Sequence, residues 1–245
     1  MSDSPTHRLV KSPKVSSRYL SDYMVASERV RRTIIRDCKY RKIARLIQHD
    51  HAKAFITNAL RSGELNDEGL KDEGERLLDM MADTQFDRDT LDVNGDFLLA
   101  YGEVFSMDSF PKTAEVVDGP KNFNADINGV DVNPDIRFAI RRITKTNRER
   151  TGFGTIRYAK NKPLDEEAAA YQSSVLFGFR KMNDVQDENA PEEKLCLTLD
   201  CVTGKFFPAP TNATQRFQNI EAACATIAER WDNIEPPEGA IIANG

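Results

Sequence analysis

The chain is poor in the features that mark secreted, membrane-spanning and disulfide-rich proteins. Its longest uninterrupted apolar run, 97–101, has only five residues, whereas a membrane-spanning helix needs about 20. The first 30 residues mix charged and hydroxyl side chains and lack the apolar stretch of a secretory signal. Its 4 cysteines are far apart in the chain, which is typical of reduced thiols. These absences predict a cytoplasmic protein without a membrane partner.

Signatures of the common enzyme and cofactor sites are also missing. The chain contains neither G-x-x-x-x-G-K-[ST] nor G-x-G-x-x-G, the loops that hold nucleotide phosphates, and no G-x-S-x-G elbow of a serine hydrolase. Gly152-Phe153-Gly154 is the only close glycine pair, and we interpret it as a tight turn. The three histidines, His7, His49 and His51, lack the partners of a zinc motif. The sequence therefore predicts no bound cofactor and favours a protein that is not an enzyme.

Charge is distributed in four blocks of alternating sign, although the net charge is only −5. Residues 1–62 contain 14 Lys and Arg against 5 Asp and Glu, and residues 133–162 contain 9 against 2. Residues 63–132 contain 5 basic against 18 acidic side chains, and residues 163–245 contain 6 against 14. Such segregation either lets basic and acidic segments pack on each other or creates a surface for a polyanion. Both alternatives stay open at this level.

The N-terminal half is predicted to be helical after a disordered arm. Apolar residues recur there at spacings of three or four, the period of an amphipathic helix. The second predicted helix is capped by the Ser27 hydroxyl and turns the side from Val30 to Cys38 inward. Gly63 is suited to end the third helix. Four or five helices are predicted before residue 108, at about 16–24, 27–38, 42–60, 66–81 and 89–107.

The C-terminal half is predicted to combine a small mixed sheet with packed helices. Alternating apolar residues predict strands, and Leu195, Leu197 and Leu199 are expected to face the core from a hairpin that turns at Thr203-Gly204. Trp231 is expected to be buried against this hairpin. The predicted elements are strands at 114–117, 129–143, 155–158 and 194–208, and helices at 163–179 and 212–231.

The fold class that follows is α+β, a helical N-terminal half followed by a small mixed sheet with packed helices. The boundary between the halves is placed in a proline- and glycine-rich loop. The predicted segments are a disordered arm at 1–14, a basic and acidic helical region at 15–108, a connecting loop at 109–129, an α/β region at 130–235 and a mobile tail at 236–245.

Two short motifs follow each other in the C-terminal half. They are N-P-D-I-R at 133–137 and G-T-I-R-Y-A-K at 154–160, and a predicted helix with Tyr171 and Gln172 comes next. This arrangement resembles the core of the PD-(D/E)XK nuclease superfamily, including its RecB-like branch. There, an aspartate and an acid-x-lysine element hold a divalent metal beside the scissile phosphate. The resemblance implies a Mg²⁺-dependent nuclease in which Asp135 is a catalytic metal ligand and Lys160 a second catalytic residue.

The second motif departs from the acid-x-lysine element of that superfamily. Thr155 stands two residues before Arg157, and Tyr158 stands two residues before Lys160, so the acid is missing in either register. Because Mg²⁺ requires several oxygen ligands, a carboxylate would have to come from elsewhere in the chain. The candidates are Glu103, Glu166 and Glu167. An inactive relative of this fold is the alternative.

A second similarity covers more of the chain. The segments V-S-S-R-Y-L-S-D-Y-M-V-A-S-E-R-V-R-R-T-I-I-R-D-C-K-Y at 15–40, K-L-C-L-T-L-D-C-V-T-G-K-F-F-P-A-P at 194–210 and N-I-E-A-A-C-A-T-I-A-E-R-W at 219–231 carry it. They resemble a family of uncharacterised bacterial proteins. This similarity implies a bacterial origin, with a link to mobile elements or phage defence, and it transfers no catalytic residue.

A dense basic cluster is the remaining functional candidate. Arginine side chains match phosphate oxygens, and tyrosines such as Tyr19, Tyr23 and Tyr40 can stack on bases if they are exposed. We expect Arg32 and Arg36, one helical turn apart, to be exposed together with Arg45 instead of forming internal salt bridges. The predicted nucleic-acid-binding residues are Arg29, Arg32, Arg36, Lys39, Arg41, Lys42 and Arg45.

Three functions follow from these observations. The first is a non-enzymatic bacterial protein that binds nucleic acid, DNA or RNA, or has a role in assembly. The second is the metal-dependent nuclease, active or inactive, with Mg²⁺ as its cofactor. The third is a protein–protein adaptor whose acidic block, 63–132, contacts a basic partner.

Overall fold

The computed structural model describes residues 5–43, 49–120, 123–183 and 190–243. Within these residues the chain forms seven α-helices and eleven strands, and the predicted α+β class is confirmed. The helices are α1 (Ser17–Val25), α2 (Glu28–Lys39), α3 (Asp50–Ser62), α4 (Asp67–Asp79), α5 (Gln85–Val104), α6 (Glu166–Met182) and α7 (Ala213–Arg230). The strands are β1 (His7–Leu9), β2 (Lys14–Ser16), β3 (Tyr40–Lys42), β4 (Glu115–Val117), β5 (Ala125–Ile127), β6 (Val130–Asn133), β7 (Phe138–Ile143), β8 (Glu149–Arg157), β9 (Leu197–Asp200), β10 (Lys205–Pro208) and β11 (Ile242–Ala243).

A five-stranded sheet in the order β10-β9-β8-β7-β4 forms the centre of the molecule. Strands β8 and β9 are parallel and are connected through α6, while the other neighbours are antiparallel. The predicted hairpin is confirmed, since Leu195, Leu197 and Leu199 are all buried. Both faces of β9 are covered: Leu197 and Leu199 pack on one side, and Thr198 contacts Ser173 of α6 on the other at 2.8 Å.

Two hydrophobic clusters lie on opposite faces of this sheet. One joins α1, α2, α6 and α7 to the sheet β2-β6-β5. The other joins α3, α4 and α5 to the apolar side chains of β7, β8, β9 and β10. Each cluster contains residues from before and after 109–129, so the predicted seam does not separate two cores. The helical half and the sheet half share the same interior.

A third sheet, in the order β11-β1-β3, corrects the predicted disordered arm over residues 5–14 and the predicted mobile tail over residues 236–243. Residues 1–4 and 244–245 lie outside the described part of the chain. Strand β1 lies between its two neighbours, antiparallel to β3 and parallel to β11. The backbone N–H groups of Thr6 and His7 both donate to the carbonyl of Ile241, at 2.8 and 3.1 Å. The two chain ends lack helical periodicity but satisfy their backbone groups by pairing with each other, which no local pattern reveals.

Trp231 is buried as predicted, but it belongs to the cluster opposite the hairpin leucines. Its exposed fraction is 1%, and its indole Nε1 donates to the carbonyl of Val10 at 3.2 Å. The N-terminal segment that we expected to be disordered therefore covers this tryptophan.

Gly152 and Gly154 lie inside β8, and the predicted tight turn is wrong. A Cβ on Gly154 would be 2.0 Å from Cε2 of Phe138, its cross-strand partner. A Cβ on Gly152 would be 2.1 Å from the carbonyl oxygen of Leu195. The two glycines serve close packing within the sheet.

The second and third predicted helices are corrected in detail. Ser27 precedes α2 without a side-chain capping bond, and Val30 is 48% exposed, so the inward face is narrower than predicted. Residues 40–42 form β3, residues 44–48 of the predicted helix lie outside the described part of the chain, and α3 begins at Asp50. Gly63 ends it with a φ of 73°, as predicted.

Candidate nucleic-acid interface

Three arginines of the predicted cluster lie along one side of α2. Arg29, Arg32 and Arg36 are spaced by three and four residues, which places them on one helical stripe. The Arg32 side chain is 75% exposed and its Nε lies 3.3 Å from Glu28 Oε1. Arg36 is half-buried, with its Nε 3.9 Å from Asp37 Oδ1. Their acidic partners come from α2 itself.

The pairing of β1 with β3 adds a second group of basic side chains next to α2. Arg8 is the direct cross-strand partner of Arg41, and both are exposed. Directly opposed like charges are unfavourable in a β-ladder unless a counter-charge is present. Among the described residues, Arg8, Arg29, Arg41 and Lys42 have no acidic partner within 4.0 Å. We define the basic face as Arg8, Arg29, Arg32, Arg36 and Arg41. Lys42 is exposed, but it follows Arg41 directly in β3 and therefore points to the other side of the ladder.

Arg8 escaped the sequence-based prediction because its segment was expected to be disordered. The signal that could have found it is the short alternation in His7–Leu9, which is too brief to distinguish a strand from coil.

Lys39 is removed from the predicted interface, because its side chain points into the protein. Its exposed fraction is 7%. Its ammonium donates to the carbonyls of Trp231, Asp232 and Ile234 at 2.7, 3.2 and 3.1 Å. These carbonyls belong to the 3₁₀ turn that follows α7 and to Ile234, the residue directly after that turn. Lys39 therefore satisfies backbone acceptors at this point of the chain. Arg45 lies outside the described residues.

The basic face is not neutralised by the acidic segment 63–132. Its ion pairs in the described part of the chain are with Glu28 and Asp37. Two other ion pairs do connect block 1–62 to block 63–132, between Lys14 and Asp131 and between Arg61 and Asp118. Helices α4 and α5 pack in the cluster on the other face of the central sheet. The layers of the fold therefore keep the basic face apart from the acidic helices α4 and α5.

The nuclease-like motif residues Asp135 and Lys160 have separate partners. Asp135 accepts a hydrogen bond from Lys53 Nζ at 3.2 Å and has Arg137 Nε at 2.8 Å. Lys160 Nζ lies 3.2 Å from Asp96 Oδ2. Burial is the largest influence on Lys53 and lowers its pKa, while Asp135 opposes this shift. The Lys53 and Arg137 side chains are thus both paired with the Asp135 carboxylate, which the resemblance assigns to a metal.

Asp135 also has a structural role in its turn. Its φ is 51°, a left-handed conformation that aspartate tolerates. Its backbone N–H donates to Asn133 Oδ1 at 2.7 Å, and its carbonyl accepts from Thr155 Oγ1 at 2.8 Å. Thr155 stands where one register of the motif requires an acid, and here it ties the turn to β8.

The acids proposed to complete the metal site are occupied elsewhere or lie on other elements. Glu103 pairs with Lys71 at 2.9 Å, and Glu167 pairs with Arg216 at 2.6 Å. Glu166 lies in the first turn of α6. No group of three or more His, Cys, Asp or Glu side chains suited to hold a metal occurs in the described parts of the chain.

Arg157 forms the most extensive buried polar network near this motif. Its guanidinium donates to Gln172 Oε1 at 2.9 Å, to Ser21 Oγ at 3.2 Å and to both carboxylate oxygens of Asp22. Burial lowers the pKa of this guanidinium, and Asp22 opposes the change. The network joins α1, β8 and α6, and so fixes the position of α1.

The four cysteines are free and buried. Burial raises the pKa of Cys38, Cys196 and Cys224 to about 12 each. A thiol with such a pKa is protonated at neutral pH and is a poor nucleophile. The prediction of reduced thiols agrees with the structure.

Comparison with protein-family models, curated proteins and solved structures found no match to this chain. Across 5–43, 49–120, 123–183 and 190–243, none of the helices combines the length and the apolar character needed to cross a membrane.

Proposed function

We propose that this protein binds nucleic acid, DNA or RNA, through the basic face, by contacts to phosphate and without cleaving it. The observation that carries the proposal is the direct pairing of Arg8 with Arg41 on an exposed ladder without an acidic partner among the described residues. A polyanion supplies the missing counter-charge, and arginine binds phosphate oxygens with two parallel hydrogen bonds.

The net charge of −5 does not oppose this function, because binding depends on the local surface. The unpaired cations lie on α2 and its adjoining small sheet, whereas the helices richest in acid lie across the central sheet. At physiological ionic strength charges interact over about 8 Å. The phosphates would therefore experience the arginines much more strongly than the distant acids.

A nuclease has less support from the site. Mg²⁺ would have to compete with Lys53 and Arg137 for Asp135, and Lys160 pairs with Asp96 instead. Incubation of plasmid with Mg²⁺ or Mn²⁺, for wild type and Asp135→Asn, tests this alternative. Asparagine accepts the same left-handed backbone. Equal behaviour of the two proteins would remove Asp135 from catalysis.

The test of the proposed function is a double charge reversal, Arg29→Glu with Arg41→Glu. Neither side chain has an ion-pair partner among the described residues, so the fold should be unaffected. Mobility shifts with DNA and RNA, single- and double-stranded, would be measured at 50 and 200 mM salt. We expect weaker binding to every probe and a shallower salt dependence, because fewer counterions are released.

The matched control is Lys112→Glu with Lys205→Glu, which changes the net charge equally at two exposed positions away from the basic face. It should retain most of the wild-type affinity. Equal loss in both double variants would show that only net charge matters. Absence of binding by the wild type at low salt would reject the function itself.

A further inference from the structure

A cleft of about 360 Å³ lies between α1, α2 and the loop that follows β8. This volume is at the lower end of the range typical of small-ligand sites, about 300–1,000 Å³. Arg18, Tyr19 and Val25 of α1 form one wall, and Val30 and Ile34 of α2 form another. Residues 158–159 and 162–165 form the loop side, and Arg157 at the end of β8 also lines the cleft.

Of the three acidic side chains that line the cleft, two are bound within the protein through both carboxylate oxygens and the third caps a helix. Asp22 receives both hydrogen bonds from Arg157. Asp165 accepts from the N–H of Ala168 at 3.0 Å as the N-cap of α6. Asp200 is 1% exposed and accepts from the N–H groups of Leu164 and Val202 and from the Thr203 hydroxyl. Asp22 and Asp200 therefore have little capacity left for a ligand, whereas Asp165 is exposed and uses one oxygen for the cap.

The basic side chains at the edge of the cleft are in the opposite situation. Arg18 and Lys162 are exposed, and neither side chain has a hydrogen-bond or ion-pair partner among the described residues. The cleft therefore offers two cations that have no ion-pair partner among the described residues. A ligand with negative charge is favoured.

The walls of the cleft are apolar and unusually exposed. Tyr19 is 47% exposed, Val25 41% and Val30 48%. Of the tyrosines considered for stacking, Tyr23 and Tyr40 are only 6% and 9% exposed, and the Tyr40 hydroxyl donates to the Ile234 carbonyl at 2.9 Å. Tyr19 alone of the three presents its ring to solvent. A planar group that inserts here would cover apolar surface that is now in water.

We propose that the cleft holds an unpaired base of a single-stranded nucleic acid, stacked on Tyr19, with its phosphates at Arg18 and Lys162. This inference rests on the proposed function and specifies the form of nucleic acid that binds best. Arg29, Arg32 and Arg36 lie on one flank of the exposed side of α2, and Val30 and Ile34 lie on the other. A strand that crosses this helix, about 10 Å wide, can contact both. Bases in a duplex are enclosed by their partners and cannot enter.

The test compares Tyr19→Ala and Tyr19→Phe with wild type. The probes are a 12-nucleotide oligothymidine that carries one 2-aminopurine, and a 12-base-pair duplex of matched length. Stacking contributes about 1–3 kcal/mol per base, so Tyr19→Ala should weaken single-strand binding about 5- to 150-fold. It should also abolish the quenching of 2-aminopurine while leaving duplex affinity unchanged. Tyr19→Phe should retain both properties, because the ring remains.

The control is Met81→Ala, which removes a side chain that is 96% exposed after α4. It should change neither affinity nor quenching. Wild-type single-strand affinity in Tyr19→Ala, or an equal loss for duplex and single strand, would overturn the cleft proposal and leave the basic face intact. If wild type binds neither probe at low salt, the proposed function and this inference are both rejected. Circular dichroism of each variant shows that folding is preserved.

Discussion

Lys39 and Arg41 are two residues apart in the chain and have opposite roles. Both belong to the same run of basic residues, but Lys39 is on the side of α2 that carries Ile35 and Cys38, which are buried. Arg41 lies beyond the helix on an exposed strand edge. The density of basic residues in the sequence does not show whether a given Lys or Arg is exposed or buried. Exposure depends on where the helix ends and on what packs against it.

Substitution of Lys39 by alanine should lower stability and leave nucleic-acid affinity unchanged. Three backbone carbonyls would lose their donor in a buried location, at a cost of about 1–3 kcal/mol. Urea unfolding measures the free-energy change. Lys42→Ala is the control, since an exposed substitution of this type changes stability by only about 0.5 kcal/mol. A stable Lys39→Ala protein with reduced nucleic-acid binding would return Lys39 to the interface.

His49 should make the protein sensitive to mild acid. Burial, followed by the charges of Lys53 and Arg18, lowers the pKa of His49 below its ordinary value of 6.5. The unfolded chain therefore takes up the proton first as the pH falls below about 6.5. The stability that neutral His49 provides is present above that pH and is lost as the pH falls towards the lowered pKa.

The measurement is the urea midpoint at pH 7.5 and at pH 5.5. Wild type should lose more stability over this interval than His49→Gln does. His51→Gln is the control, because His51 is exposed in the first turn of α3, two residues after His49, and it should retain the pH response of wild type. Equal responses in all three proteins would contradict the role of His49.

Helices α4 and α5 pack closely because glycines face each other at their contact. A Cβ on Gly95 would be 2.9 Å from the carbonyl oxygen of Gly74 and 2.8 Å from Cγ of Leu78. In the sequence, Gly95 weakens the prediction of a helix, since glycine has a low helix propensity. The close contact between the backbones of α4 and α5 explains why a glycine stands at this position of α5.

Gly95→Ala should therefore destabilise the protein despite its better helix propensity. Propensity favours alanine by about 1 kcal/mol, but overpacking costs about 1–3 kcal/mol, and a backbone carbonyl cannot move aside alone. We expect a net loss on the order of 1 kcal/mol in thermal or urea unfolding. Gly69→Ala, whose nearest neighbour would be Asn66 Oδ1 at 3.4 Å, should be neutral or stabilising. A stabilised Gly95→Ala variant would show that α4 and α5 can separate at little cost.

At the scale of the whole molecule, the helices richest in acid lie across the central sheet from α2. Residues 67–104, which include α4 and α5, contain 12 acidic side chains against 3 basic ones. They pack on the face of the sheet opposite the cluster that contains α2. Helix layers on the two faces of a sheet are about 20 Å apart, more than twice the screening length of about 8 Å at physiological salt.

Neutralisation of the acidic surface should thus affect nucleic-acid binding only at low ionic strength. The triple variant Asp72→Asn, Glu75→Gln and Asp79→Asn removes three exposed charges of α4. At 150 mM salt its dissociation constant should match that of wild type within about twofold. At 10 mM salt, where screening extends to about 30 Å, its association should be faster. Stopped-flow fluorescence with the labelled oligonucleotide measures both, and a large effect at 150 mM would show that the acids lie near the bound strand.

Local patterns in the sequence determine most of the helices, the hairpin and the α+β class. The period of the apolar residues, the Asn66 cap and the stop at Gly63 are local signals that act within a few residues. The side chain of Asn66 accepts from the N–H of Gly69 at 2.7 Å, as a capping residue does. These elements could be predicted because their hydrogen bonds are made within a short segment.

Only the tertiary structure decides which of the predicted site residues share a surface. Pairing of β1 with β3 brings Arg8 to Arg41, and the segment after β1 covers Trp231. The end of α7 receives Lys39 across 192 residues of sequence. Such contacts depend on long-range packing and on the satisfaction of buried backbone groups, which leave no periodic trace in the chain. The basic cluster can therefore be recognised from the sequence, while its division into an exposed face and an internal lysine depends on the fold.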